Sequence, residues 1–330
     1  MPAGIVGIGS AVPERVLTNS DLERMVDTTD EWIRTRTGIR ERRVVAPGET
    51  ATQLGLRAAQ RALEEAGIEP EAIDLIIVAT STPDTVFPAT AVRIQAELGA
   101  RRAAGYDLYA ACSGFVYALH QARFMVEAGA ARHVLVVGVD LLSRITDWTD
   151  RSTCVLFGDA AGAVIVAPVF DGTGILASRL GADGHGGAYL SLESPYAGHG
   201  VGEACQHPLG FIRMNGHEVF KFAVRVVVEE TQAVLEQLGL SVDDLDLLVP
   251  HQANIRIIDA ARERLGLRPD QVFTNLERYG NTSAASIPLA LDEAWRTGRL
   301  KRDDLVVAVG FGGGLTWGTA AFRWSLEGRA

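Results

Sequence analysis

Three side chains of this sequence have the type and setting for covalent chemistry. Cys112 lies in YAACSGF, after an apolar run (Tyr106 to Ala111) and before Phe115, Leu119, Ala122 and Val126, which keep helical spacing. A thiol at such a junction would face unpaired N–H groups and the positive end of a helix dipole, which lowers its pKa and favours the thiolate nucleophile. Position alone equally allows a small buried hydrophobe, the usual role of a free cysteine. His251 closes the apolar run Leu245 to Pro250, at the carboxyl edge where open α/β sheets take ligands. A neutral imidazole there can donate a hydrogen bond or act as acid or base. Asn281, in YGNTSAAS before another helical pattern, is by itself an ordinary N-cap candidate. Together the three make a thiol–imidazole–amide site.

The run from Gly310 to Gly314 follows an apolar strand and would let backbone N–H groups crowd a ligand oxygen. It does not match G-x-G-x-x-G, and neither does GIVGIGSAV near the N-terminus. A phosphate loop of the G-x-x-x-x-G-K-[ST] type is absent as well, so an oxyanion hole is the better use of the glycines. Cys154 and Cys205 lack the strand-to-helix setting and read as structural. Three cysteines are too few and too scattered for a disulfide framework or a zinc site, so no metal is expected.

The elements that must position these groups occur twice. LEEAGIEPEAIDLIIVAT from Leu63 registers without a gap on LEQLGLSVDDLDLLVPHQ from Leu235. Each copy has a helix stop at a glycine (Gly67, Gly239) and a strand opened by Ile73-Asp74-Leu75 or Leu245-Asp246-Leu247. The segment around Cys112 and its helix is echoed by the segment around Asn281, and FGDAAGA from Phe157 by FGGGLTWG from Phe311. Short Val/Ile/Leu strands alternating with helices predict an α/β fold with a largely parallel sheet covered on both faces. Two homologous halves are expected, 1–170 carrying the cysteine and 171–330 carrying the histidine and asparagine. The irregular stretch Gly181 to Gly210 is long enough to suggest a functional or mobile loop.

Composition narrows the partners. The 31 Lys and Arg against 41 Asp and Glu give a net charge of -10, which excludes general nucleic-acid binding. An acidic partner would need a local basic patch. The longest apolar runs are strand length, so no membrane span is expected. The opening MPAGIVGIGSAVPER lacks a basic segment followed by a long apolar one, and an odd cysteine count suits a reducing compartment, so the expected location is the cytoplasm.

ACSGF, VPHQAN, YGNTSAAS and GFGGGLTWG, with DEWIRTRTGIRERR and FGDAAGA, closely resemble the β-ketoacyl-acyl carrier protein synthase III enzymes of type II fatty-acid synthesis. The resemblance runs essentially end to end. It implies a thiolase-like fold, two duplicated halves in a five-layered αβαβα arrangement. Among related condensing enzymes the Cys-His-Asn set, with no proline in GFGGG, points to synthase III. The implied reaction joins an acyl-CoA primer, acetyl or another short group, to malonyl-acyl carrier protein through an acyl-Cys112 intermediate, with no cofactor. The alternative is an acyl-CoA-dependent ketosynthase or acyltransferase of a secondary-metabolite pathway.

The same resemblance assigns the remaining site. The N–H groups of Cys112 and Gly313 would hold the oxyanion. Trp32 and Arg151 would sandwich the CoA adenine, with Thr28, Arg36, Gly216 and Asn254 along its phosphate-pantetheine arm. Leu142 and Phe157 would line the acyl pocket, and Phe87 would reach into the partner's pocket across a homodimer. Lys221 and Arg256 would dock acyl carrier protein, with Arg225, one helical turn from Lys221, a weaker candidate. Ala160, where the family more often has glycine, and Ser152 are departures expected near the acyl or CoA channel.

Overall fold

The computed structural model describes residues 1–170, 172–194 and 210–328. Cys205 and most of the stretch expected to form a long loop lie outside the described residues; the described beginning of that stretch continues a strand and then makes a 3-10 turn, Gly184–Tyr189.

Two sheets carry the fold. In the first, β1 (Ala3–Ala11), β2 (Leu75–Ala79), β3 (Ala104–Leu108), β4 (Val134–Leu141) and β5 (Asp159–Pro168) lie in the order β1-β5-β4-β2-β3. β2 runs parallel to β3 and β4, whereas β5 is antiparallel to β4 and β1. In the second, β6 (Gly174–Ala182), β7 (Leu247–Pro250), β8 (Leu305–Gly312) and β9 (Thr316–Arg323) lie in the order β7-β8-β9-β6. The senses repeat: β7 and β8 are parallel, and β9 is antiparallel to β8 and β6. A single parallel bridge from Leu248 to Val272 stands where the counterpart of β3 would lie.

Side chains alternate across a strand, and here both faces are apolar. Ile76, Val78, Leu135 and Val137 pack on one face of the first sheet, against α1 (Ala51–Ala66), which itself packs on α2 (Thr90–Leu98). Ile77, Ala79, Val134 and Val136 turn the other way, onto α3 (Gly114–Glu127). In the second sheet Val307, Val309 and Ala321 meet α4 (Gly216–Gln237) and α5 (Ile255–Leu265). Val306, Ala308, Ala320 and Phe322 face inward, into the same core as α3 and α6 (Ser286–Arg296). Two helices are thus held between the sheets and a pair covers each outside face, which makes the five layers.

The sequence repeat has a physical counterpart. Gly67 and Gly239 stand just past α1 and α4 with φ of +62° and +70°, a conformation in which glycine alone is unstrained. Asp74 accepts hydrogen bonds from the N–H groups of Arg132 and His133 at 2.7 and 3.1 Å, and Asp246 accepts one from Leu305 at 2.8 Å. Each carboxylate therefore aligns the start of the adjacent parallel strand. Among the described residues no helix is long and apolar enough to cross a membrane.

Backbone presses closely on backbone where β4 passes the turn before α6. A Cβ on Gly138 would lie 2.3 Å from the Ala284 carbonyl oxygen and 2.9 Å from its carbon, contacts with backbone that cannot rotate away. Gly138→Ala is expected to cost about 1–3 kcal/mol, the scale of overpacking in a filled core. A urea titration reads this directly; an unchanged midpoint would show that the seam can open without cost.

Candidate active site

The carboxyl ends of the strands meet at this seam and place the groups picked out by sequence around one cavity of about 210 Å³. Cys112, His251, Asn281, Gly312 and Gly313 line it together. Leu142, Ile145, Leu156, Phe157 and Ile212 supply much of its apolar wall.

Cys112 sits on a 3-10 turn, Ala111–Ser113, that leads into α3. β3 ends at Leu108, three residues before the predicted strand end, and Ala111 takes φ of +46° to swing the thiol toward the seam. The glycine run is needed there for space: a Cβ on Gly312 would lie 2.8 Å from the Cys112 nitrogen and 2.9 Å from its Cβ. The Thr316 hydroxyl, within 2.9 Å of the Gly313 carbonyl and 2.8 Å of Ser113 Oγ, ties this loop to the cysteine turn.

The electrostatics of the thiol differ from expectation. Burial, helped by nearby Asp140, pushes its pKa up to about 12. Removal from water outweighs the helix end because a charged sulfur loses its hydration in a low dielectric. Cys112 rests as a thiol.

His251 leaves β7 with its N–H donating to the Val309 carbonyl at 2.8 Å and its ring edge-on to Phe311. Burial lowers its pKa to about 3, so the ring is neutral. Nδ1 lies 2.6 Å from Ser286 Oγ. The Gln252 N–H also donates to that oxygen, at 3.5 Å. In the tautomer in which Ser286 donates to Nδ1, the ring proton is on Nε2 and the imidazole is a donor toward the cavity. Asn281 is fixed similarly: its Oδ1 accepts the Ser283 N–H at 2.9 Å, which leaves its NH₂ to donate. Its backbone exchanges hydrogen bonds with Leu156 and Gly158 at 2.8 and 2.9 Å, locking it beside Phe157.

A nucleophilic sulfur, two neutral donors and a glycine loop at one end of an apolar cavity suit acyl transfer between thioesters. Comparison with known proteins gives the same answer. Residues 106–184 match the family described as 3-oxoacyl-[acyl-carrier-protein (ACP)] synthase III, and residues 235–324 match its C-terminal part. A beta-ketoacyl-[acyl-carrier-protein] synthase III of Symbiobacterium thermophilum is 58% identical over 98% of each chain. The chain belongs to the synthase III family. The crystal structure of the Aquifex aeolicus 3-oxoacyl-[acyl-carrier-protein] synthase III superposes with a TM-score of 0.92 at 48% identity, covering 98% of this chain and all of that one. A priming β-ketosynthase from the R1128 polyketide biosynthetic pathway superposes at 0.90 with 41% identity, covering 98% of this chain and 96% of the other. The thiolase-like fold expected from the motifs is the one found.

The other residues singled out from the sequence lie partly in the cavity lining and partly outside it. Gly216 and Asn254 line it, at the starts of α4 and α5. Trp32 and Arg36 stand outside the lining on a short helix, Asp30–Thr37; the Arg151 guanidinium lies 4.6 Å over the Trp32 ring and 3.8 Å from Asp27. Thr28 has a buried hydroxyl with no partner among the described residues. Lys221 is exposed and pairs with Glu218, Arg225 pairs with Glu229, and Arg256 lies over Phe220, itself a lining residue. Phe87 is not brought to this cavity; it is 86% exposed. Ala160 packs behind the site with Ala285 and Leu289 instead of lining a channel, and Ser152 hydrogen-bonds Asp150 on an exposed turn. Cys154 is buried, with its thiol pushed up to about 11 by burial, in keeping with a structural role. Among the described residues no three His, Cys, Asp or Glu side chains are placed to hold a metal ion.

Sequence reading missed Asp140, Ser283, Ser286 and Thr316, which touch or orient the groups it found. Asp140 was visible as a carboxylate ending the apolar run VLVVGVD. The serines were hidden inside GNTSAAS, where small polar residues read as turn formers.

His251 is expected to stay uncharged from pH 8 down to pH 5, since its folded pKa lies well below both. Histidine NMR should show its ring unchanged across that range; a titration near 6.5 would contradict the buried neutral donor.

Proposed function

We propose that Cys112, His251 and Asn281 are the catalytic residues of an initiating condensing enzyme of type II fatty-acid synthesis. The convergence of the thiol with two neutral donors on one cavity is the observation that supports this reading. The Cys112 sulfur attacks an acyl-CoA thioester and keeps the acyl group, dividing one difficult condensation into two steps. The N–H groups of Cys112 and Gly313 stabilise the oxyanion. Malonyl-acyl carrier protein then enters, and His251 and Asn281 donate to its thioester carbonyl as CO₂ leaves. Neutral donors suit this step: they stabilise the enolate without delivering a proton that would quench it. The carbanion attacks acyl-Cys112 and releases 3-oxoacyl-acyl carrier protein.

The halves 1–170 and 171–330 divide the labour, the first supplying the nucleophile and the second the donors. For CoA, the Arg151–Trp32 stack forms the adenine clamp, a planar cation against an aromatic face. Thr28, Arg36, Gly216 and Asn254 follow the arm toward Cys112, and Leu142 and Phe157 bound the acyl chain. Lys221 and Arg256 offer an acidic carrier protein a cationic dock on a chain of net charge -10. Exposed Phe87, Val86 and Tyr109 support a homodimer in which Phe87 is covered by the partner. The likeness to a polyketide priming ketosynthase supports a second reading, the same chemistry in a secondary pathway.

Radiolabelled acetyl-CoA should label Cys112, and Cys112→Ala should abolish the label. His251→Ala and Asn281→Ala should keep the label yet lose CO₂ release from malonyl-acyl carrier protein by on the order of 10²-fold or more. Normal condensation by either variant would overturn the role assignment. A primer panel separates the pathways, since each added methylene changes binding by about 0.8 kcal/mol in an apolar pocket.

A further inference from the structure

The two N–H groups that would share one oxyanion come from different halves of the chain. Cys112 stands on the turn before α3 and Gly313 follows β8, and both line the cavity. Donors stabilise an oxyanion only when both sit at hydrogen-bond distance, about 2.7–3.1 Å, from the place it will occupy. The cysteine turn and the glycine loop must therefore be held in register across the seam. Close packing does part of this: a Cβ on Gly310 would lie 3.0 Å from the Ser113 Cα, and one on Gly312 would lie 2.8 Å from the Cys112 nitrogen. Such contact limits how near the segments come but does not hold them together.

Two hydroxyls supply a directional link. Ser113 is fully buried, and its Oγ lies 2.7 Å from the Ala110 carbonyl and 2.8 Å from Thr316 Oγ1. Thr316 Oγ1 in turn lies 3.1 Å from the same Ala110 carbonyl and 2.9 Å from the Gly313 carbonyl. Two hydroxyl oxygens at 2.8 Å need a proton between them, since bare lone pairs would repel. With Ser113 donating to Thr316, the threonine proton serves the Gly313 or Ala110 carbonyl; with Thr316 donating to Ser113, the serine proton serves Ala110. In either direction the pair ties the turn that carries Cys112 to the start of β9. The Ala110 carbonyl also accepts the Ser113 N–H at 3.1 Å, and the next residue, Ala111, takes the strained φ of +46°. Backbone strain persists only where its surroundings over-determine it, and the contacts that converge on the Ala110 carbonyl do so here.

We propose that Ser113 and Thr316 are positioning residues for the oxyanion hole, a hydroxyl pair that sets the Cys112 N–H against the Gly313 N–H. Among the described residues neither lines the cavity, so both act through the two donors and not on substrate. Ser113 adjoins the cysteine in the chain, and Thr316 reaches the carbonyl of the residue whose N–H is the second donor. The pair serves the two steps that put negative charge on the acyl oxygen: attack of Cys112 on acyl-CoA, and attack of the carbanion on acyl-Cys112. Loss of CO₂ places its charge elsewhere, on the malonyl thioester oxygen that meets His251 and Asn281.

This positioning role rests on the acyl-CoA reading of the site, and one set of measurements separates the two. Acylation by radiolabelled acetyl-CoA is timed by rapid quench in the wild type, Thr316→Val, Thr316→Ser, Ser113→Ala and the double variant Ser113→Ala/Thr316→Val. Thr316→Val keeps the shape and removes the hydroxyl; it should acylate on the order of 10-fold more slowly, and Thr316→Ser should restore the rate. The double variant should lose no more than Thr316→Val alone, because either change breaks the same link. With acetyl-CoA carrying carbon-13 at its carbonyl, acetyl-Cys112 should absorb in the infrared at higher frequency in Thr316→Val than in the wild type, since misaligned donors polarise the carbonyl less. Given malonyl-acyl carrier protein, Thr316→Val should form less 3-oxoacyl product per CO₂ released, whereas general damage would lower both together. Ser113→Ala, which should shift rate and band in the same directions, keeps the test decisive if Thr316→Val fails to fold. Wild-type rate and band in a folded variant, no rescue by Thr316→Ser, or multiplied losses in the double variant would overturn the hydroxyl pair. A wild type that takes no label would instead overturn the acyl-CoA reading, and one whose acyl carbonyl absorbs like a free thioester would overturn the oxyanion assignment.

Discussion

Removal of ionisable groups from water governs this site more than any single contact. Cys112, Asp140 and His251 lie within one apolar seam, and burial drives each toward its neutral form: the thiol and carboxyl upward, the imidazole downward. An exposed version of the same three residues would rest as a partly charged cluster with ordinary acid–base behaviour. In the seam they become a protonated thiol, a carboxyl with its pKa raised to about 6 and a neutral imidazole. The division of roles follows from where the fold buries them.

That burial depends on backbone approaching backbone. Gly138 lets the turn before α6 press onto β4, Gly312 lets the C-terminal loop lie on the cysteine turn, and Gly158 runs against the Tyr279 carbonyl. Each position lacks space for a methyl group, so small residues are structural requirements here as much as large apolar ones. The alternating strand faces do the complementary work, clamping α3 and α6 between two sheets so that their first turns meet at one point.

Much of this was legible in the sequence because it is periodic. Strand alternation, helix stops at Gly67 and Gly239 and the paired Asp74 and Asp246 are local signals, and their repetition announced two similar halves. Cys112, His251 and Asn281 could be read because each closes or opens such a periodic element. What escaped was non-local. Asp140 and the Ala284 N–H it accepts are far apart in the chain, and their meeting requires both sheets to be in place. The charge state of the thiol escaped for the same reason, since a helix end is visible in sequence but the depth of burial around it is not.

The elevated thiol pKa has a consequence for oxidative damage. At neutral pH a group with a pKa of about 12 is thiolate in roughly one molecule in 10⁵, and peroxides and disulfides react with thiolate, not thiol. The resting thiol is thereby less reactive toward small oxidants than a thiolate would be. An exposed cysteine of ordinary pKa would be ionised in a few per cent of molecules. The packing that makes Cys112 a poor resting nucleophile is also what preserves it between turnovers.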